Sequence, residues 1–140
     1  MDKIKIKCVK KVKNEDFIRL YREAGWWKHR YYKDLSFIGR VVRRSFCFMG
    51  AFYKGKMIGM GRSISDGISD AYIQDVIILK GFRGKGLGKK IIKKIIEYLL
   101  SKGIDWIGTI AEPGTKKFYS KFGFKVMKKY TPMLWYKNNE

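Results

Sequence analysis

Gln74-Asp75-Val76-Ile77-Ile78-Leu79-Lys80-Gly81-Phe82-Arg83-Gly84-Lys85-Gly86-Leu87-Gly88-Lys89-Lys90 is the stretch on which the reading of the fold turns. Its first part is a β-branched and aliphatic run, the pattern of a buried strand, and its last part opens a helix whose apolar stripe continues through Ile91 and Ile92. Between them, Gly84, Gly86 and Gly88 let backbone amides point into one space with no Cβ in the way, and the helix dipole adds positive potential there. Strand, glycine turn and helix together make an anion site. Two common phosphate loops do not fit it. A P-loop needs G-x-x-x-x-G-K-[ST], and Gly86 is followed by Leu87 instead of the lysine and hydroxyl. A dinucleotide fingerprint needs G-x-G-x-x-G at the start of a βαβ unit, whereas Gly84, Gly86 and Gly88 have the wrong interval and lie in mid-chain.

Working outward, 140 residues are expected to form a single domain, 1–140, with a core that needs no staples. Cys8 and Cys47 stand alone, without C-x-x-C or a Cys/His cluster, so reduced thiols are expected and neither a disulfide framework nor a metal site. Met1-Asp2-Lys3-Ile4-Lys5 alternates charge with apolar residues, and no apolar run approaches spanning length, which predicts a cytoplasmic protein with no membrane segment. The net charge of +20 admits a polyanionic partner such as nucleic acid. A lysine-rich composition spread over solvated faces is favoured over that reading, because no basic run is interleaved with aromatics that would stack on bases.

In chain order, Ile4, Ile6 and Cys8 alternate with lysines as a first strand. Asn14 is a candidate N-cap for a helix carrying Phe17, Ile18, Leu20, Tyr21 and Ala24 inward and ending at Gly25. A second helix is expected over Asp34 to Arg44. Phe46 to Tyr53, a turn at Lys54-Gly55, and Lys56 to Ile64 form a hairpin; Asp66-Gly67 turns the chain into a third antiparallel strand, Ala71 to Lys80. After the glycine turn, Leu87, Ile91, Ile92, Ile95, Ile96, Leu99 and Leu100 give a helical stripe that Gly103 ends. Ile104 to Ile110 is a strand expected to run parallel to Ile73–Leu79 through a right-handed crossover. A helix opening at Pro113 and strands at Phe124 to Tyr130 and Met133 to Tyr136 complete the chain. The class is α/β (α+β), a mixed, mostly antiparallel sheet flanked by helices in the order β-α-α-β-β-β-α-β-α-β.

Arg83-x-x-Gly86-x-Gly88 resembles the pyrophosphate loop of the GNAT superfamily of N-acetyltransferases, [RQ]-x-x-G-x-[GA]. Phe118-Tyr119-Ser120-Lys121-Phe122-Gly123-Phe124 resembles a second segment of that superfamily, F/L-Y-x-K-x-G-F, and the order of elements is the one the resemblance implies over nearly the whole chain. The resemblance implies an acetyl-CoA-dependent N-acetyltransferase with no metal, acting on an amine of a small molecule or protein. By it, the amides of Gly84, Lys85, Gly86, Leu87, Gly88 and Lys89 hold the pyrophosphate, with Arg83 at the entrance. The backbone of Val76, Ile77 and Ile78 pairs with the pantetheine arm where this strand and Ile104–Ile110 splay apart, and a backbone N–H there serves the developing oxyanion. Tyr119 is the candidate general acid for the coenzyme A sulfur. Its plainer alternative is a helix aromatic packed on the sheet, as Phe118 and Phe122 are expected to be.

Asp75, the odd carboxylate in an aliphatic strand, is the candidate base, acting through water; its alternative is a structural carboxylate that accepts hydrogen bonds from loop amides. Many relatives carry a glutamate on the strand before the tyrosine helix, and Asp105-Trp106-Ile107-Gly108-Thr109-Ile110 has none near its middle; Glu112 stands where relatives often have a cofactor-touching asparagine. Trp26, Trp27, Tyr31 and Tyr32, with Met133 and Trp135, are candidates for the acceptor pocket or for core and homodimer contacts. His29 has no partner in the pattern and is read as surface. Arg62, Asp66 and Asp70 fall around the Asp66-Gly67 turn, where either carboxylate would hold a cationic amine or simply shape the turn. The competing classes are a non-catalytic acetyl-CoA-binding domain and a basic nucleic-acid-binding module on the same fold.

Overall fold

Strand β1 (Lys5–Cys8) pairs antiparallel with β2 (Cys47–Tyr53), after two intervening helices, α1 (Asn14–Glu23) and α2 (Ser36–Arg44), have crossed one face of the sheet. The structure, a computed structural model, describes residues 3–137, which divide after Thr109 into two units. In the first, β2 turns back into β3 (Lys56–Ser65) through Lys54 and Gly55, both at positive φ, 50° and 77°. That is the conformation a two-residue type I′ hairpin turn demands. Strand β4 (Asp70–Ile78) pairs antiparallel with β3, and α3 (Leu87–Ser101) carries the chain over to β5 (Trp106–Thr109), which pairs parallel with β4. The sheet order is β1-β2-β3-β4-β5. The mixed, mostly antiparallel sheet flanked by helices is thus the expected one.

Alternation along β3 assigns the two faces. A Cβ built on Gly61 would lie 2.8 Å from Ile91 Cγ2, 3.2 Å from Ile95 Cδ1 and 3.3 Å from Val76 Cγ2, so Gly61 faces α3. Arg62, next along, points to the other face, where its guanidinium reaches Ser45 at the end of α2. On that face Phe17, Leu20, Ile38 and Val42 are fully buried; on the α3 face Ile91, Ile92, Ile95 and Leu99 are. Asp16 is buried too, and its carboxylate accepts the Met57 amide at 3.2 Å, tying α1 to β3. The lysines of α3, Lys89, Lys90, Lys93 and Lys94, are exposed opposite its apolar stripe.

Element ends shift from the sequence reading for local reasons. Helix α2 starts at Ser36, because Asp34 stays extended and its carboxylate takes the Ser36 amide at 2.9 Å. In the second unit, α4 (Lys116–Ser120) begins after Thr115 instead of at Pro113, because Gly114 is left-handed, φ 85°, and turns the chain first. Residues 124–136 hold no strand. A turn closes there with the Tyr130 amide on the Met127 carbonyl, 3.2 Å, and Lys129 at φ 71°, and Pro132 lacks the amide a ladder needs.

Two outcomes are expected from this packing. Gly61→Val forces a branched side chain against Ile91, a β-branched helical residue with little rotamer freedom, and should cost about 1–3 kcal/mol, seen as a lower urea midpoint at unchanged slope. Cys8 is exposed, whereas Cys47 is buried and its thiol is pushed up to about 12 by burial and by Cys8, whose Sγ is 3.7 Å away. A thiol reagent at about pH 8 should therefore modify Cys8 alone in the native protein and both cysteines after unfolding.

Candidate active site

The glycine turn is braced from three sides. After β4 the chain makes a short 3-10 turn, Lys80–Phe82, whose first amide donates to the Glu23 carboxylate of α1 at 2.9 Å. The Phe82 ring packs on Tyr53 of the hairpin, centroids 5.4 Å apart, and Lys85 Nζ lies over the Phe82 ring, 5.6 Å from its centroid. Arg83 Nε donates to the Ile78 carbonyl at 2.9 Å, closing the turn onto the end of β4. Gly84 and Gly86 are left-handed, φ 81° and 75°, with nothing within 4 Å of where a Cβ would stand. Leu87 is buried and anchors the start of α3, whose first bond at this end runs from the Lys90 amide to the Gly86 carbonyl, 3.1 Å. The amides of Leu87, Gly88 and Lys89 precede the first intrahelical bond and have no acceptor within the helix. They form a cradle for an anion, with the helix dipole behind it.

The strand that feeds this cradle leaves its ladders midway. Arg62 pairs with Gln74 and Met60 with Ile77, so Gly61 alone stands opposite both Asp75 and Val76: a bulge on β4. On the other side, pairing with β5 covers Asp70–Ile73 against Trp106–Thr109 and no later residue of β4, and the Thr109 hydroxyl donates to the Ile73 carbonyl at 2.8 Å where it stops. Asp75 and Val76 consequently have a ladder partner on neither neighbouring strand. Ile77 and Ile78 have one on β3 only.

Asp75 sits at the bulge with φ 58°, left-handed although it is not glycine. Two side chains converge on its Oδ2: the Tyr21 hydroxyl of α1 donates at 2.6 Å, and Arg62 Nε of β3 donates at 2.7 Å. Both contacts fall on one oxygen, and Oδ1 is outside them. Tyr21 is fixed in turn by stacking on Phe17, 4.2 Å, and by the edge of Trp26, 5.3 Å. Burial, and then the negative charge of Asp75, raise the Tyr21 phenol far above its ordinary range, so it stays a donor. Arg62 NH1 also donates to the Ser45 hydroxyl at 3.3 Å, and that hydroxyl donates to the Val41 carbonyl at 2.7 Å.

Asp75 therefore meets Tyr21 and Arg62, not the loop amides weighed for it from sequence. Arg62 pairs with Asp75, and the Asp66 carboxylate accepts the Ile68 amide at 2.9 Å, the turn role weighed for it. Tyr21, Ser45 and Glu23 were not singled out from sequence. Tyr21 carried one signal: a hydroxyl on the apolar face of a helix needs a buried partner. Trp27, Tyr31, Tyr32 and Phe37 form an aromatic cluster with centroids 5.0–6.0 Å apart, and the buried Trp27 Nε1 has no hydrogen-bond partner among the described residues. His29 is exposed with its ring 5.5 Å from Tyr32. Tyr119, Met133 and Trp135 belong to the second unit. There the Tyr119 ring meets Phe118 of α4 at 5.1 Å and Phe124 beyond it at 5.6 Å, and the Tyr119 amide donates to the Thr115 carbonyl at 3.1 Å. No described helix is long and apolar enough to cross a membrane.

The Acetyltransferase (GNAT) family model matches residues 6–124. An uncharacterized N-acetyltransferase, ycf52, of Pyropia yezoensis is 32% identical, over 96% of this chain and 81% of its own length. The histone acetyltransferase TAP1 of Glycine max is 38% identical over 60% of this chain; the matched region is 37% of that protein and 34% of its soybean relative, a probable acetyltransferase, so the chain spans about a third of these relatives. Among solved structures, a GNAT family acetyltransferase of Streptococcus pneumoniae superposes with TM-score 0.79 at 25% identity, covering 97% of this chain and 99% of that one. AAC(6')-Iy, solved with the bisubstrate analogue CoA-S-monomethyl-acetylneamine, shares the fold with TM-score 0.72 at 18% identity, over 96% of this chain and 97% of that one. A family match over most of the chain, a mixed sheet of the same topology and a glycine cradle at the head of α3 agree: the chain belongs to the GNAT family of acetyltransferases.

Proposed function

We propose that this chain moves the acetyl group of acetyl-CoA directly to an amine of a small molecule or a protein. The observation that carries the reading is the continuity of two incomplete surfaces: a strand segment, Asp75–Ile78, without β5 partners, leading straight into a cradle of free amides. An extended ligand with amides in its middle and a pyrophosphate at its end fits that order, which acetyl-CoA has and a plain nucleotide lacks. The residues suit it by their chemistry. Gly84 to Lys89 offer amides and open space to the pyrophosphate, and the Val76, Ile77 and Ile78 backbone offers strand pairing to the pantetheine arm. Arg83, with its Nε committed to Ile78, shapes the entrance. The bisubstrate analogue bound by AAC(6')-Iy supports a coenzyme A ligand on this fold.

When bound, the thioester supplies an activated acetyl group. In this reading Asp75 takes the proton of the incoming amine on Oδ1, through water, since Oδ2 is held by Tyr21 and Arg62. As the C–N bond forms, a backbone N–H of the unladdered segment carries the charge growing on the carbonyl oxygen. As the C–S bond breaks, the Tyr119 hydroxyl gives its proton to the sulfur. The acceptor class stays at the level of an amine: relatives are named for a histone and for serotonin, a protein and a small molecule.

Two measurements test this. Calorimetric titration at high salt, which suppresses the general attraction of a +20 chain for phosphates, should show binding of acetyl-CoA but not of ATP or NADPH. Gly86→Glu, which places a strained side chain and a negative charge in the cradle, should abolish it; equal or absent binding of all three ligands overturns the reading. Tyr119→Phe should lower turnover by roughly 10²-fold or somewhat less and leave acetyl-CoA affinity unchanged. An unaltered turnover number removes Tyr119 from the chemistry.

A further inference from the structure

We propose that Tyr21 and Arg62 are positioning residues: through Asp75 they hold the left-handed bulge of β4, and so set the register of the Val76–Ile78 edge that takes acetyl-CoA, which neither of them touches. The proposal rests on the function proposed above. It starts from a conformational oddity. An L-residue at φ 58° crowds its own Cβ, and although Asp tolerates this better than most, a strand interior is the least favourable place for it. Something outside the strand must hold it there.

The side-chain hydrogen bonds to Asp75 among the described residues come from far off in sequence, 54 residues for Tyr21 and 13 for Arg62, and both end on Oδ2. Each donor is itself immobilised, Tyr21 between Phe17 and Trp26, Arg62 by Ser45. The ion pair is also withdrawn from water, with side-chain exposure of 15% for Arg62 and 20% for Asp75, so its geometry is not averaged away as at a surface. The clamp therefore fixes the direction of the Asp75 side chain relative to both α1 and β3, and with it the backbone that carries it.

The consequence lies downstream. With the bulge, Met60 faces Ile77 and Gly59 faces Ile78. Were Asp75 to relax to an extended conformation, the pairing that runs from Ser65–Ala71 to Arg62–Gln74 would continue without interruption, placing Gly61 opposite Asp75 and Met60 opposite Val76. Every residue from Val76 onward would exchange faces. Val76 would leave its contact with Gly61 and α3, and the edge and the glycine turn behind it would be presented differently. The bulge is thus the switch between a β4 that completes a ligand site and one that is only a strand.

The test uses the ability of glycine to occupy φ 58° unaided. Tyr21→Phe keeps the ring and its stacking and removes the hydroxyl; Arg62→Lys keeps the charge and removes the fixed Nε geometry. Each should weaken acetyl-CoA binding by about tenfold, the scale set by the cost of a left-handed L-residue. Adding Asp75→Gly to either variant should bring affinity back to within about twofold of wild type, because glycine holds the bulge without a clamp. In the ligand-free protein, the cross-strand NOEs between Met60 and Ile77 should weaken in Tyr21→Phe and return in the double variant. Wild-type affinity in both single variants overturns the proposal, as does a loss that glycine does not repair. Intact Met60–Ile77 NOEs in Tyr21→Phe overturn it as well. Because the NOE readout needs no ligand, a wild-type protein that binds no acetyl-CoA sinks the proposed function and leaves the clamp to be judged separately.

Discussion

The left-handed backbone at Asp75 is the constraint on which the rest of the site depends. A regular β4 would satisfy its own amides and carbonyls against β3 and offer little to a ligand. One inserted residue changes this: Asp75 and Val76 lose ladder partners on β3, and the β5 ladder has already stopped at Ile73, where Thr109 takes the carbonyl. Backbone polar groups inside a folded domain are rarely left without partners, so an unladdered stretch next to a glycine cradle suits the extended ligand proposed for it. The conformation that makes it is held by a phenol from α1 and a guanidinium from β3.

The same elements that hold the bulge also hold the cradle. Helix α1 contributes Tyr21 to Asp75 and, two residues later, Glu23 to the Lys80 amide. Strand β3 contributes Arg62 to Asp75 and, one residue before it, turns Gly61 to α3, whose close approach its missing Cβ permits. The two ends of the ligand edge are therefore registered to a common pair of elements. A shift of α1 relative to the sheet would disturb both at once, which is why Asp16, buried and bonded to the Met57 amide, matters to a site it does not line.

Local chemistry made the sheet, its hairpins and the glycine turn legible in the sequence. Lys54-Gly55 encodes its turn within two residues, the apolar stripe of α3 is read from spacing alone, and Gly84 and Gly86 announce positive φ by being glycine. The bulge was not legible, because the left-handed Asp75 is met by Tyr21 from 54 residues away and Arg62 from 13, and nothing in local sequence points to either contact. The start of α4 differs for the opposite, local reason: Pro113-Gly114 is a turn in its own right, and Thr115 then opens the helix. Alternation over 124–136 suggested strands, yet Lys129 at positive φ and Pro132 break that segment.

The strong positive charge acts on both substrates of the proposed reaction, and its two effects run in the same direction. Among the described residues, ion pairs neutralise few basic groups, Arg19 on Asp16 and Arg62 on Asp75 being two that are paired. A field of this sign favours encounter with the polyanionic donor proposed here. An amine held in that field is destabilised as its ammonium, which lowers its pKa and raises the fraction able to attack. The field costs the enzyme encounter rate with cationic acceptors, and a paired Arg62–Asp75 at the edge softens this by being locally neutral. Added salt would weaken both effects of the proposed reaction together, so lysines spread over solvated faces would bear on it at long range, beyond the Lys85 and Lys89 amides proposed for the cradle.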